Sequence, residues 1–170
     1  KRFYGGDLKG NVWRFDIDSV TPPHGKAQRL ARLQMGGLAQ PITKRPMLAE
    51  VDYLGTKYPV VVVGTGQYLG ESDLSDKTQQ TLYAIKDPLT ATDWGNVRAD
   101  ARMIEQTATT VSATKRIAST RAVNWATAIG WRLDLTDKNK VNVTERMTAD
   151  MLLQYTTLVV GTGTPGVPAR

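Results

Sequence analysis

Hydrophobic and polar residues alternate along several short stretches of the chain. Every second side chain is apolar in three of them, at Trp13, Phe15 and Ile17, at Tyr83 and Ile85, and at Trp131, Leu133 and Leu135. This period of two is typical of a β-strand with a buried face. Between turn signals we predict strands at residues 2–5, 11–17, 28–35, 41–52, 59–69, 81–86, 102–111, 115–120, 130–135, 141–147, 150–155 and 158–162. A helix competes only at residues 102–112, where the Thr-rich end favours a strand.

Two sequence units occur more than once. One runs from Met-Leu into a Val-rich strand that ends in Gly-Thr-Gly, at residues 42–66 and again at residues 147–163. The other is an aromatic strand that leads into Asp, at residues 12–16, 82–87 and 130–135. Repeated four-stranded units of this kind build a β-propeller.

The repeats therefore predict an all-β chain that is part of a β-propeller with quinoprotein-like blades of four antiparallel strands. At roughly 40–50 residues a blade, the chain supplies about three to four blades, the outermost ones incomplete. The predicted blade pieces are residues 1–37, 38–112, 113–148 and 149–170 of a single partial domain.

Composition supports strands and excludes several classes of function. The chain holds 21 Thr, 15 Val and 6 Ile, and these β-branched residues favour sheets. It has no Cys, which excludes disulfides, thiol catalysis and Cys-based metal sites. The net charge of +6 is scattered over many segments, whereas a nucleic-acid interface concentrates its charge, so no nucleic-acid partner is expected. No apolar run approaches the roughly 18 residues of a membrane helix, so no membrane span is expected.

A series of motifs resembles a known family. Residues 4–16 read Tyr-Gly-Gly-Asp-Leu-Lys-Gly-Asn-Val-Trp-Arg-Phe-Asp, and further matches follow in order at residues 40–43 with Pro46, at 64–69, at 80–85 and at 130–135. In this order they resemble the C-terminal domain of the PilC/PilY type IV pilus biogenesis family, over nearly the whole chain.

The resemblance implies a propeller domain of a large Gram-negative surface protein at or near the pilus tip. Such proteins support pilus extension against retraction, twitching motility and cell adhesion. The partners implied are other pilus components (minor pilins or the secretion and assembly machinery) or a host surface. The location implied is the periplasm, the outer membrane or the cell surface, associated with the pilus.

The sequence departs from the family at both ends. The family's calcium loop, which resembles an EF-hand, typically lies before the Tyr-x-Gly-Asp strand and would therefore precede Lys1. The chain also ends at Arg170, before the aromatic strand that usually finishes the last blade. Calcium is thus implied for the parent protein, and no cofactor is assigned to this chain.

Three local features suggest chemistry but favour structural interpretations. Gly-Thr-Gly at residues 64–66 lacks the spacing of a dinucleotide fingerprint, because Leu69 stands where the next Gly should be. The copy at residues 161–163 has Gly166 at that spacing, but Pro165 precedes it and no helix follows, so we predict structural turns for both. Glu71, Asp73 and Asp76 are spaced poorly for calcium, which favours a solvated loop over a weak cation site. His24 is the only histidine and lies between turn residues, so we predict an exposed loop position.

The tryptophans divide into two pairs. Trp13 and Trp131 occupy equivalent places in the repeat and are predicted to pack between blades. Trp94 and Trp125 lie in loop-like stretches and are the candidate contacts with a partner.

No residue is assigned a catalytic, cofactor-binding or metal-binding role, and we expect a non-catalytic interaction scaffold. The alternative is a quinoprotein-like dehydrogenase propeller. Such an enzyme needs a quinone and calcium ligands from several blades. It also often uses adjacent cysteines, and this chain has no Cys.

Overall fold

The structure is a computed structural model that describes residues 1–18, 25–112, 115–135 and 145–165. Within these ranges the regular elements are strands, apart from two short 3₁₀ turns at Glu71–Leu74 and Val97–Ala99. In chain order the strands are β1 (Arg2–Gly6), β2 (Asn11–Asp16), β3 (Ala27–Arg32), β4 (Gln34–Met35), β5 (Leu38–Ala39), β6 (Met47–Tyr53), β7 (Thr56–Gly64), β8 (Thr81–Lys86), β9 (Met103–Gln106), β10 (Ala108–Ser112), β11 (Lys115–Ala118), β12 (Gly130–Asp134), β13 (Arg146–Met147), β14 (Leu152–Gln154), β15 (Thr157–Val159) and β16 (Thr162–Gly163). The prediction of an all-β fold is therefore confirmed.

Two sheets and a hairpin provide most of the framework. The first sheet has three antiparallel strands in the order β1-β2-β3. The second has five strands in the order β6-β7-β8-β12-β9, in which only β12 and β9 run parallel. Strands β14 and β15 form an antiparallel hairpin, and β10 with β11 form another.

The central part of the second sheet, at the end of β7 and in β8, is buried on both faces, because successive side chains of a strand point to opposite faces. Val61 and Val63 of β7 belong to a core shared with Val12 and Leu30 of the first sheet. Val60 and Val62 point the other way, into a core that includes Met147 and Met151 and is packed against Leu158 of β15. Each buried aliphatic side chain contributes about 1.5–3 kcal/mol relative to exposure. The first sheet, the second sheet and the β14–β15 hairpin thus pack face to face in that order.

The region where helix and strand compete forms strands. Residues 102–112 contain β9 and β10, as predicted, with Thr109 of β10 opposite Ile117 of β11. The prediction for residues 141–147 is covered only in part, since residues 141–144 lie outside the described residues and β13 begins at Arg146.

One strand joins a different sheet from the one predicted. The sequence assigns residues 130–135 to the third blade piece, together with residues 115–120 and 141–147. In the structure β12 lies between β8 and β9, with Trp131 opposite Ala84 and Ile104. The boundary predicted at residues 112–113 therefore does not separate two sheets. An apolar strand pattern reports burial, whereas the partner strand is chosen by how the intervening residues 87–129 fold back. The other blade boundaries stay predictions.

The turn between β6 and β7 offers a test of local backbone strain. Leu54 and Gly55 both have positive φ, at 53° and 76°, and the Leu54 side chain is 88% exposed. A left-handed conformation costs a leucine about 1 kcal/mol, and Asn-Gly is the preferred pair for such a turn. We expect Leu54→Asn to raise the free energy of unfolding by about 0.5–1 kcal/mol, measured by urea denaturation.

Leu48→Asn is the matched control for this prediction. Leu48 is also exposed, but it lies within β6, where asparagine is unfavourable. The control is expected to be neutral or destabilising, and a fall in stability for Leu54→Asn would contradict the strain argument.

Candidate functional site

The first family motif builds a tight turn between β1 and β2. The Asp7 carboxylate accepts hydrogen bonds from the backbone N–H groups of Lys9 and Asn11 and from the Trp13 indole Nε1, each at 2.9 Å. Gly10 has a φ of +74°, and a Cβ there would lie 2.3 Å from the Leu33 carbonyl oxygen. The motif residues are thus occupied in holding the turn.

These hydrogen bonds make the turn sensitive to acid. Burial alone raises the pKa of Asp7, but the donors from Trp13, Asn11 and Lys9 outweigh it and lower the pKa below the ordinary 3.8. Since the folded pKa is the lower one, the stabilisation is fully present above the ordinary value and is lost as the pH falls through the folded pKa. We expect Asp7→Asn to cost about 1–2 kcal/mol at pH 7 and progressively less below about pH 4.

Urea unfolding at several pH values tests this expectation. Glu71→Gln is the control, because Glu71 is exposed and its substitution should change stability by less than about 0.5 kcal/mol. If the free energies of unfolding of Asp7→Asn and the natural chain differed by the same amount at every pH, protonation of Asp7 would not control the stability of the turn.

A buried ionic network joins the first and second sheets. The Arg14 guanidinium donates to Asp16 at 2.8 Å and to Asp87 at 2.7 Å, and all three side chains are 0% exposed. The Tyr4 hydroxyl also donates to Asp87, at 2.6 Å. Burial, and then this hydrogen bond to a carboxylate, raises the pKa of Tyr4 far above its ordinary value. Tyr4 therefore stays protonated at neutral pH, and the network serves as a structural link.

The first Gly-Thr-Gly segment holds neighbouring strands together but is not the predicted turn, because Gly64 ends β7 and Gly66 forms a bridge with Ile42. The Thr65 N–H donates to the Thr81 carbonyl at 3.0 Å, and the Gly66 N–H donates to the Pro41 carbonyl at 2.7 Å. The Thr65 hydroxyl oxygen accepts from the Thr81 N–H at 2.9 Å. A Cβ on Gly64 would lie 2.1 Å from Met147. The N–H groups that a phosphate would need are already bound.

The second Gly-Thr-Gly segment is also closely packed, and its Thr162 and Gly163 form strand β16 in place of the predicted turn. A Cβ on Gly161 would lie 2.8 Å from the Cβ of Ala149, and one on Gly163 would lie 2.9 Å from Thr148. Small residues are required here because the neighbouring strand segment approaches closely.

The acidic loop does not gather its carboxylates into one site. Asp73 accepts from the N–H groups of Leu69 at 2.7 Å and Gly70 at 3.1 Å, and Asp76 accepts from the Thr78 N–H at 2.8 Å. The Leu69 N–H, more than any other group, lowers the pKa of Asp73. Glu71 is exposed. Within the described ranges no group of three or more His, Cys, Asp or Glu side chains is arranged to hold a metal. His24 lies outside the described residues.

The two candidate partner contacts differ in accessibility. Trp94 is half-buried, donates its indole N–H to the Lys86 carbonyl at 2.9 Å and lies under the Arg102 guanidinium, 5.2 Å from the ring centroid. Trp125 is only 7% exposed and belongs to the second core, and its carbonyl accepts from Lys86 Nζ at 2.7 Å. Burial, and then the nearby Arg102, lowers the pKa of Lys86. A role in partner contact stays a prediction for both tryptophans, with more free surface at Trp94.

The other two tryptophans lie on different faces. Trp131 packs against the second core, beside the β14–β15 hairpin. Trp13 is half-buried and points to the same face of the first sheet as Phe15. That face carries Phe3 and Phe15, a directly opposed pair that is 60% and 40% exposed.

Two neighbouring cavities lie beside the second sheet. The larger, of about 410 Å³, is lined by Gln106, Ala118, Ser119, Arg121, Val123, Trp125, Trp131 and Leu133. The smaller, of about 200 Å³, separates β6 and β7 from the β14–β15 hairpin and shares Trp125 and Trp131. Among the described residues, the linings of both cavities are mainly apolar and aromatic, with Gln106, Ser119, Arg121 and Thr156 as the polar members.

A residue that sequence reasoning missed organises the acidic loop. Arg146 is fully buried and donates to the backbone carbonyls of Gln67 at 2.9 Å, Asp73 at 3.0 Å and Asp76 at 2.5 Å. No motif marks Arg146, because its acceptors are main-chain atoms of a segment some seventy residues earlier in the chain.

Among the described residues, no helix has the length and apolar character needed to cross a membrane.

Comparison with known proteins gives consistent relatives. No family model matches the chain. The chain is 27% identical over 96% of its length to a type IV pilus biogenesis factor PilY1 homolog of Xylella fastidiosa, and 29% identical over 95% of its length to the type IV pilus biogenesis factor PilY1 of Pseudomonas aeruginosa strain UCBPP-PA14. It spans only 12% and 18% of the lengths of these proteins.

A solved structure is similar over almost the whole chain. The crystal structure of the Pseudomonas aeruginosa PilY1 C-terminal domain matches 95% of this chain with a TM-score of 0.75 and 27% identity, and this chain covers 40% of that one. The resemblance carried by the motifs is thereby confirmed in both sequence and fold. In both sequence and fold the chain therefore resembles part of the C-terminal domain of the PilC/PilY type IV pilus biogenesis family.

Proposed function

We propose that this chain is a non-catalytic structural and interaction domain of a type IV pilus biogenesis protein. The observation that carries the proposal is the match to the PilY1 C-terminal domain over 95% of the chain. The motif residues support it, because Asp7, Arg14 and Thr65 are engaged in holding strands and turns together. We propose roles in pilus assembly, twitching motility and surface adhesion. The partners proposed are other pilus components or a host surface, met in the periplasm, at the outer membrane or on the cell surface.

Complementation tests this function. A strain that lacks the parent gene would receive either the natural gene or one without this domain, with protein levels checked by immunoblotting. We expect the natural gene to restore surface pili and twitching, and the shortened gene to fail despite normal protein levels. Full piliation and motility without the domain would overturn the proposal. A quinone-dependent alcohol oxidation by the purified parent protein would favour the dehydrogenase alternative.

We further propose that the stacked sheets are part of a β-propeller. Tyr83 and Ile85 of β8 are fully buried against the first sheet. The repeat places Trp13 and Phe15 of β2 at the equivalent positions, and their face of the first sheet is apolar and exposed. A further sheet of the same kind would cover that face. A structure of a longer chain tests the proposal, since a two-layer sandwich without radial arrangement would contradict it.

Calcium, if the parent protein uses it, is proposed to bind outside the described residues of this chain. Asp73 and Asp76 already accept backbone hydrogen bonds, which leaves them poorly placed to supply the six to eight oxygens that calcium prefers. We expect the melting temperature of this chain to change by less than about 1 °C when calcium is added at millimolar concentration, as measured by calorimetry. A saturable rise that disappears in Asp73→Asn would contradict this expectation.

A further inference from the structure

An exposed apolar patch lies on the loop between β7 and β8. Tyr68, Leu69 and Leu74 are 55%, 69% and 45% exposed, and together with Gly70 and Glu71 they line a shallow cavity of about 290 Å³. Isolated exposed apolar residues are common on protein surfaces, but a contiguous group that lines a concavity is typical of an interaction site. We call Tyr68, Leu69 and Leu74 the 68–74 patch.

Two charged side chains below the patch hold it in shape. Arg146 donates to three carbonyl oxygens of residues 67–76, and Asp73 accepts from the N–H groups of Leu69 and Gly70. Both side chains are buried, at 0% and 7% exposure. Because the loop is ordered before any partner arrives, little conformational entropy is lost on binding. Loops that carry apolar residues on a rigid frame are frequent recognition elements.

The charge around the patch differs from that of the chain as a whole. The chain carries +6, whereas residues 67–77 hold three acidic side chains and one basic side chain, with the buried Arg146 as a further cation beneath them. Glu71 lines the patch, and Asp73 and Asp76 lie in the same loop, with Lys77 the nearest basic residue in sequence. Complementary charge directs encounter and selects partners. An apolar patch with an acidic border favours apolar side chains flanked by Lys or Arg.

We propose that the 68–74 patch binds an apolar segment of a partner protein that carries lysine or arginine beside its apolar side chains. The proposal rests on the interaction role proposed above and assigns it to a specific surface. The partner's apolar side chains would contact Tyr68, Leu69 and Leu74, and its basic groups would lie beside Glu71. The buried Arg146 and Asp73 act as positioning residues, since they reach the partner only through the loop they hold.

Fluorescence anisotropy with two synthetic peptides tests the proposal. Each has about twelve residues, one alternating leucine with lysine and the other alternating leucine with glutamate. We expect the lysine peptide to bind the chain at least about tenfold more tightly than the glutamate peptide. Its affinity should fall as the salt concentration rises from about 0.05 to about 0.3 M. Leu69→Ser with Leu74→Ser should weaken binding about tenfold or more, whereas the control Leu54→Ser, at an exposed turn outside the patch, should leave it unchanged.

Four results would overturn the proposal. They are no binding of either peptide, equal binding of both, binding that survives the double substitution, and loss of binding in the Leu54→Ser control. If the chain bound anionic lipid vesicles more tightly than the lysine peptide, this result would also count against a protein partner. Hydrogen exchange provides a second measurement, because the Leu69 and Gly70 amides should exchange slowly if Asp73 holds them. Fast exchange would remove the preorganisation on which the proposal depends.

The peptide assay tests the proposed binding surface, and the complementation assay tests the proposed pilus role, so either proposal can fail without the other. If the lysine peptide does not bind while deletion of the domain abolishes pili, the surface is wrong and the pilus role stands. If the peptide binds as expected while deletion leaves piliation intact, the pilus role is wrong and the surface stands.

Discussion

Replacing Arg14 with alanine is expected to lower the free energy of unfolding by about 3–5 kcal/mol. The guanidinium pairs with Asp16 and Asp87, and all three side chains are excluded from solvent. Without Arg14 the Asp87 carboxylate would be buried without a cation and Asp16 would keep only Arg2, which costs more than the ion pairs themselves contribute. Urea denaturation followed by tryptophan fluorescence measures the loss, which is a large fraction of the about 5–15 kcal/mol of stability that domains of this size have.

An exposed ion pair provides the control for Arg14. Arg29 pairs with Asp93 at 2.7 Å, but both side chains are about one-third exposed, so Arg29→Ala should cost less than about 1 kcal/mol. A second variant separates loss of charge from loss of packing. Arg14→Met combined with Asp16→Asn and Asp87→Asn removes all three charges and should recover part of the lost stability. Equal costs for Arg14→Ala and Arg29→Ala would contradict the role given to the buried network.

Gly130→Ala is expected to destabilise the chain by about 3 kcal/mol or more. Gly130 begins β12 with a φ of +152°, and a Cβ there would lie 1.8 Å from the Ala84 carbonyl oxygen of β8. The atoms that a Cβ would meet are backbone atoms in paired central strands, so relief requires separation of β8 from β12. Urea denaturation measures the cost, and the slow amide exchange expected of β12 should be lost first.

Gly36 is the matched control for Gly130. It also has a positive φ, at +57°, but no atom lies within 4 Å of the position that a Cβ would take there. Gly36→Ala should therefore cost only the conformational strain, about 1 kcal/mol. If the two substitutions cost the same, close approach of β8 and β12 is not what requires glycine at residue 130.

Part of the fold was predictable because it depends on local patterns. The run of four valines at residues 60–63 predicts a strand, and the structure distributes these valines between two cores. The gap between the strands predicted at residues 2–5 and 11–17 indicates a turn, and the side-chain hydrogen bonds of Asp7 then explain it. The placement of residues 130–135 was wrong, because a strand's period carries no information about its neighbours. Trp125 was placed in a loop, which is correct, but its side chain packs in the core.

The candidate interaction surface was the least predictable part. Residues 71–76 suggest only a solvated acidic loop, and nothing in their order indicates that a buried arginine supports them. Arg146 reaches this loop from about seventy residues away, through hydrogen bonds to main-chain oxygens that every residue possesses. Such contacts leave no mark on the sequence of either partner.

The amino-acid order by itself determined that this chain is all-β, that its strand units repeat, and that its motifs resemble those of the PilC/PilY family. Side-chain alternation and turn chemistry act over a few residues, so they can be read from the sequence. Only the tertiary structure decided that β12 lies between β8 and β9, that Arg14 joins two sheets, and that Tyr68, Leu69 and Leu74 share one supported surface. These features depend on contacts between distant segments, whose free energy exists only after the sheets have packed.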